Sequence, residues 1–451
     1  MRVVIIGGSH AGIAAARHLK KIDANVEVLI IERANVLGYI GSSLNLYLEG
    51  MITDLSKAYT VTSDQLRAEG ISVLLNTEAT EILPEQKEVV FSTETKQGQI
   101  KDSIGYDCLI LAMGSSQYQT DFSLPSTREL INYKTFTQAE QAIDSLHAAD
   151  KITIIGAGLI GFELIESLAS YKKEIYLVER TDSILFRYFD NEITQKLMKK
   201  LPENLHIILN SHVKEIQLDE DSKVVGVLLN NGQTLPCDGV VFALNPRPNV
   251  SLVADYLTIN KDGTINTNEY LQTSDPSIYA VGDLVSVFFN NSASAIYVPL
   301  VTNAYRTGIT AAANILLPEK IAFEKVQRTI VTELFQTYLA STGVNEEEAP
   351  YYGIQPAAVS KTYTQQSLFA EDDTFELTLK LVFDPKSKQI IGGQLITNRR
   401  EPIEIINTLS TLVTMQADLQ QLTTMDFYFN PKLSLPLHFL NDLAMEGLIN
   451  H

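Results

Sequence analysis

One unit occurs twice in this chain of 451 residues. "RVVIIGGSHAGIAAARHL" begins at Arg2, and "KITIIGAGLIGFELIESLA" begins at Lys151. Each couples an apolar run to a tight Gly-rich turn and a helical pattern. A second apolar run ending in an acid follows each: "VEVLIIER" with Glu32, and "EIYLVER" with Glu179. Strand, turn, helix, strand, acid is how a parallel, doubly wound sheet opens. Two copies predict an α/β chain with two doubly wound dinucleotide-binding domains.

The turns carry the chemistry. Gly7, Ser9 and Gly12 form G-x-S-x-x-G, with Ser9 where a middle glycine is usual. Gly156, Gly158 and Gly161 form a full G-x-G-x-x-G. Such a turn ends at a helix start, where free N–H groups and the helix dipole hold a pyrophosphate. Glu32 and Glu179 are spaced to accept hydrogen bonds from a ribose. An acid at that place favours NADH over NADPH, and the adjacent Arg180 pulls the other way. A third element, "SIYAVGDLVSV", ends a strand in Gly282-Asp283. Ligands bind at that end of a parallel strand.

Other features narrow the class. The formal net charge of -19 disfavours nucleic acid and anionic membrane, which need clustered Lys and Arg. No apolar run reaches the ~18 residues of a membrane span. "MRVVIIGG" enters a strand at once, so no signal peptide is expected. The two cysteines, Cys108 and Cys237, form no CxxC pair, which argues against a metal site or a local redox disulfide. A cytoplasmic protein is expected. Beyond about Pro318 the pattern changes to β-like runs alternating with helical ones, a separate α+β domain from about residue 319.

In order along the chain, the first turn, the strand end "ILAMG", the second turn and "YAVGD" resemble the two-dinucleotide flavoprotein disulfide reductases. The resemblance is closer to their NADH oxidase, NADH peroxidase and coenzyme A-disulfide reductase branch. It rests on "GGSHAG" with His10, "LYLEG" (Leu46 to Gly50), "RPN" (Arg247 to Asn249), "VTNAYRTG" (Val301 to Gly308) and "ASTGVNE" (Ala340 to Glu346). It implies an FAD-binding domain over 1–118 and 244–318, an NAD-binding domain over 119–243 and a homodimerisation domain over 319–451. It implies FAD held by Gly7, Ser9, Gly12, Glu32, Ala112, Gly114, Gly282, Asp283 and Thr302, with Asp283 on the ribityl chain. NADH would be held by Gly156, Gly158, Gly161 and Glu179. The helix starting near Thr302 would point its N-terminus at the flavin.

The chain departs from that family where its chemistry is centred. The redox cysteine of the family stands four residues before the Leu-Tyr of "LYLEG". Here that position is Ser42, within "GSS". A serine hydroxyl neither ionises near neutral pH nor cycles through sulfenic acid. As a plain structural residue, Ser42 is a helix N-cap worth ~1 kcal/mol. Cys108 and Cys237 are expected to be inert, and His438 to be structural or superficial. Leu159 replaces an aromatic that gates the nicotinamide, and Phe429 replaces a tyrosine of the disulfide-reducing members. Asn245 replaces a glycine in a loop where asparagine's tolerance of positive φ would help. His10 is retained, placed to donate a proton with a pKa near working pH. The expectation is an FAD-dependent NADH oxidoreductase that passes hydride to flavin and then electrons directly to dioxygen, giving hydrogen peroxide, or to another small-molecule acceptor. The alternative is a catalytically silent flavin-binding regulatory or scaffold dimer.

Overall fold

A computed structural model of the chain describes residues 1–117, 127–289, 295–369 and 374–451. Its first sheet is built on β1 (Arg2–Ile6), β2 (Glu27–Ile31), β3 (Ile71–Leu74) and β4 (Cys108–Leu111). All pair parallel, with Val3 opposite both Val28 and Cys108. Strands buried on both faces read as unbroken Val/Ile/Leu runs rather than as alternation. "VVII" and "VLII" do so, with Val3, Val4, Ile5 and Ile30 inaccessible to solvent. Helix α1 (His10–Ile22) crosses from β1 to β2 and buries its Ala-rich face.

The second sheet repeats the plan. It contains β5 (Leu130–Ile131), β6 (Lys151–Ile155), β7 (Glu174–Val178), β8 (Leu205–Ile208) and β9 (Gly239–Phe242), in the order β8-β7-β6-β9-β5. The chain then returns: β10 (Ile278–Ala280) pairs parallel with β4, giving the first sheet the order β10-β4-β1-β2-β3. The first unit is therefore discontinuous in sequence and the second is inserted within it.

The remainder is a five-stranded antiparallel sheet. Its strands are β11 (Ile330–Leu334), β12 (Thr337–Gly343), β13 (Ala357–Tyr363), β14 (Leu377–Phe383) and β15 (Ile390–Thr397), ordered β11-β12-β15-β14-β13. The C-terminal helix Phe439–Asn450 packs on this sheet. Of the expected domain breaks, 118/119 lies outside the described residues. Those at 244 and 319 fall in connecting segments.

Two helices pack against each other within the first unit. The 16-residue helix Val301–Leu316 packs along α1. A Cβ on Gly308 would lie 2.3 Å from the Ala11 carbonyl oxygen, so only glycine allows this crossing. The close approach sets the N-termini of both helices against one cleft. The described helices include none long and apolar enough to cross a membrane.

Candidate active site

The cleft encloses about 2420 Å³ and is lined by both parallel-sheet units and by the C-terminal part. Pockets for one small ligand span ~300–1,000 Å³, so this one has room for two dinucleotides.

In the first turn, Gly7 has φ +112°, and a Cβ there would sit 2.2 Å from the Ala112 oxygen. A Cβ on Gly12 would sit 1.9 Å from the Gly7 oxygen. Both glycines are thus required by the turn itself. Ser9 is the N-cap of α1, makes no side-chain cap bond and is exposed to the cleft. Across from it, Ala112 and Gly114 leave β4 and line the cleft, and Gly114 has φ +65° with open space where a Cβ would be. Gly282 donates its N–H to Thr307 Oγ1 at 2.9 Å. Asp283 accepts a hydrogen bond from Ser115 Oγ at 2.5 Å. The long helix begins beside it: Leu300 caps without a side-chain bond, so first-turn N–H groups near Thr302 remain free to meet negative charge.

The second turn has the same construction. Gly156 (φ +109°) and Gly161 would place Cβ atoms 2.6 Å from the Ala243 oxygen and 2.3 Å from the Gly156 oxygen. Nothing lies within 4 Å of a Cβ on Gly158, which presents bare backbone to the cleft. The two acids match as well. Glu32 accepts from the Gly8 N–H at 2.6 Å and the Ala34 N–H at 2.8 Å. Glu179 accepts from the Ala157 N–H at 2.8 Å and the Thr181 N–H at 2.9 Å.

These features test the fit of two dinucleotides. Bare backbone at Gly114 and Gly158, open helix starts and carboxylates at both strand ends suit two pyrophosphates and two riboses. Several buried polar atoms on the lining, His10 Nδ1 and Asn45 Oδ1 among them, have no hydrogen-bond partner. Such atoms are costly unless a ligand or water meets them.

Several expectations are corrected by the geometry. Ser42 stands at the N-cap of helix α2 (Ser43–Leu48), but its side chain makes no capping bond. It is exposed and lines the cleft, so its stabilising role as a cap is absent. His10 is held below 6.5 by burial, against the pull of Asp283. It is therefore chiefly neutral near pH 7 rather than poised at its pKa. Asn245 lines the cleft yet adopts no positive φ, so the expected use of asparagine's tolerance of that region is absent.

The other singled-out residues are placed as follows. Cys108 begins β4 at the end away from the cleft, Cys237 is buried just before β9, and burial pushes both thiols up. His438 caps the last helix through Nδ1 and stacks on Phe427 at 4.2 Å. Leu159 lines the cleft, whereas Phe429 is half exposed.

Three groups in the cleft were missed from sequence. Lys134 pairs with Asp283 at 3.4 Å. Glu163 sits one turn after Leu159 on helix Leu159–Leu168, so it shares the cleft-facing side of that helix, a signal that helical spacing carries. Burial pushes its carboxyl up, and Thr332 of β11 donates to it at 3.2 Å. Arg328 and Glu348 form a buried pair, Nη1 to Oε1 2.8 Å, between the rings of Tyr188 and Phe289 at 5.4 and 5.3 Å.

Residues 1–308 match the model of the pyridine nucleotide-disulphide oxidoreductases, and residues 328–438 match their dimerisation domain. The chain belongs to this family. An NADH oxidase of Enterococcus faecalis is 30% identical over 451 residues, all of both chains. The structure of a water-forming NADH oxidase from Lactobacillus brevis bound to NADH superposes with a TM-score of 0.93 at 25% identity, covering 100% of this chain and 98% of that one. An NAD-dependent persulfide reductase from A. fulgidus gives 0.92 at 27% identity, covering 100% and 83%. The protein is an FAD-dependent NAD(P)H oxidoreductase of this family.

Proposed function

We propose that the chain oxidises NADH through FAD alone and releases hydrogen peroxide, with NADH, a proton and dioxygen giving NAD⁺ and hydrogen peroxide. The observation that carries this reading is Ser42. It lines the cleft, and the family resemblance of the surrounding sequence puts the redox cysteine at this residue. Neither Cys108 nor Cys237 lines the cleft. Without sulfur, disulfide reduction and four-electron reduction to water lose their intermediate.

Bound FAD supplies a hydride acceptor that can pass electrons onward to a small molecule. The chain's own residues then bind and orient. Gly7, Ser9, Gly12, Glu32, Ala112, Gly114, Gly282, Asp283 and Thr302 would hold the flavin dinucleotide, with Asp283 as the acceptor for its ribityl hydroxyls. Gly156, Gly158, Gly161 and Glu179 would hold the nicotinamide dinucleotide, and Glu179 would select NADH by meeting the ribose hydroxyls. Leu159 and Glu163 bound the nicotinamide side. His10, neutral and with a free Nδ1, accepts or relays a proton beside the flavin. Residues 319–451 pair two copies into a homodimer.

The test is the yield of peroxide per NADH oxidised in aerobic turnover, measured with and without catalase. One peroxide per NADH is expected. Water formation with no released peroxide overturns the reading. Protein that stays oxidised when mixed with NADH without oxygen points instead to a flavin-binding scaffold.

A further inference from the structure

Lys134 lies just before Thr135, the N-cap of helix Phe136–Ala148. A Cβ built on Gly41 would be 3.5 Å from the Lys134 carbonyl oxygen, so the Lys134 backbone runs alongside the Ser42 segment. The side chain reaches away from there. Its ammonium hydrogen-bonds Ser115 Oγ and lies 3.4 Å from Asp283 Oδ2, and Ser115 itself donates to that carboxylate. Lys134 thus spans the part of the cleft between the Ser42 segment and Asp283.

Among the described residues, no other lining cation duplicates it. Arg33 follows the first ribose acid, while Arg180, Arg187 and Lys214 belong to the second unit. Arg328 is already neutralised by Glu348. The Lys134 side chain is 32% exposed, and burial acts to lower its pKa while Asp283 acts to raise it. Charges so placed are only partly screened by solvent.

We propose that Lys134 is a positioning residue that sets the reduction potential of the flavin by offsetting the Asp283 carboxylate. A reduced flavin is more negative than an oxidised one. A fixed carboxylate beside it opposes reduction, and a fixed ammonium favours it. This inference rests on the placement of FAD against Asp283 argued above. With neither thiol of the chain lining the cleft, the flavin alone holds the electrons between donor and acceptor. Its potential then decides how far NADH can fill it.

The experiment uses purified holoprotein and the variants Lys134→Met and Lys134→Arg. Flavin occupancy is measured first, from absorbance. Potentials are then measured by anaerobic titration against dyes of known potential. Lys134→Met is expected to keep its FAD and to shift the potential to more negative values. The NADH/NAD⁺ ratio that half-reduces the flavin should rise about tenfold, which for a two-electron couple is about 30 mV. Lys134→Arg, which keeps the charge, should restore most of the shift. A Met variant with FAD and an unchanged potential overturns the proposal. A Met variant that cannot hold FAD also overturns it, by making Lys134 a binding residue. Wild-type protein that binds no FAD instead sinks the underlying placement.

Discussion

Glu32 and Glu179 hold equivalent places in the two parallel-sheet units, and each clamps its own turn with one oxygen and the backbone two residues downstream with the other. A carboxylate fixed in this way is oriented before any ribose arrives, so little side-chain entropy remains to be lost on binding.

Glu179→Ala should therefore lose both the acceptor and the clamp. Hydrogen bonds to a charged group contribute ~1.5–3 kcal/mol. The NADH concentration for half-maximal flavin reduction should rise about tenfold or more, and preference over NADPH should shrink. Stopped-flow reduction without oxygen, with each nucleotide, measures both. Unchanged preference would assign the choice to Arg180 instead.

A thiol can be introduced at Ser42. Ser42 has φ -79°, ordinary for cysteine, so Ser42→Cys requires no backbone change. Ser43 beside it is fully buried, and Ser43→Gly frees room for the new side chain. The double variant should lower peroxide released per NADH, because a thiol at the cleft can intercept peroxide as sulfenic acid. α2 has only six residues, so its dipole gives the thiol little help, and the gain is expected to be partial. A peroxide yield equal to wild type would mean that the site has changed beyond this one side chain.

Asp190 and Lys380 are 1% and 6% exposed and lie 2.9 Å apart, tying the second unit to β14. Lys380→Met leaves a buried carboxylate without its cation, a loss of ~3–5 kcal/mol. The urea midpoint of the holoprotein should fall accordingly, and Asp190→Leu added to it should recover part of the loss. A midpoint unmoved by Lys380→Met contradicts this.

His438 gives a pH prediction. Burial holds its pKa below 6.5, while the unfolded chain binds the proton at about 6.5. The unfolded state therefore binds more protons in that window. The stability contributed by neutral His438 is present above pH 6.5 and is lost as pH falls through the folded pKa. His438→Asn keeps an oxygen for the helix cap and removes the titration. Melting temperatures at pH 7.5 and 5.5 should differ less in the variant than in wild type. An equal difference would place the acid sensitivity elsewhere, with His10 the next candidate.

What could be read from the sequence was local. The glycine turns declare themselves because Gly7, Gly12, Gly156 and Gly161 face backbone atoms too close for any Cβ, so no other residue serves there. The strands are legible because burial on both faces leaves only apolar side chains. What could not be read was brought together over distance. Lys134 meets Asp283, and Thr332 meets Glu163, only after three sheets have packed. No periodicity in one segment carries that information. Ser42 shows the converse: its place was legible, but its side chain's freedom from capping was not.

The return of β10 to β4 has a consequence in time. On a ribosome adding ~5–20 residues per second, the stretch from Leu111 to Ile278 takes roughly 10–30 s to appear. Through that interval the open edge of β4, with the apolar run Leu109–Leu111, waits for its partner while the whole second unit forms. An open apolar edge recruits whatever strand is near. Newly made chain is therefore most vulnerable to pairing with another nascent copy before β10 emerges, and a chaperone that shields strand edges would act in that window.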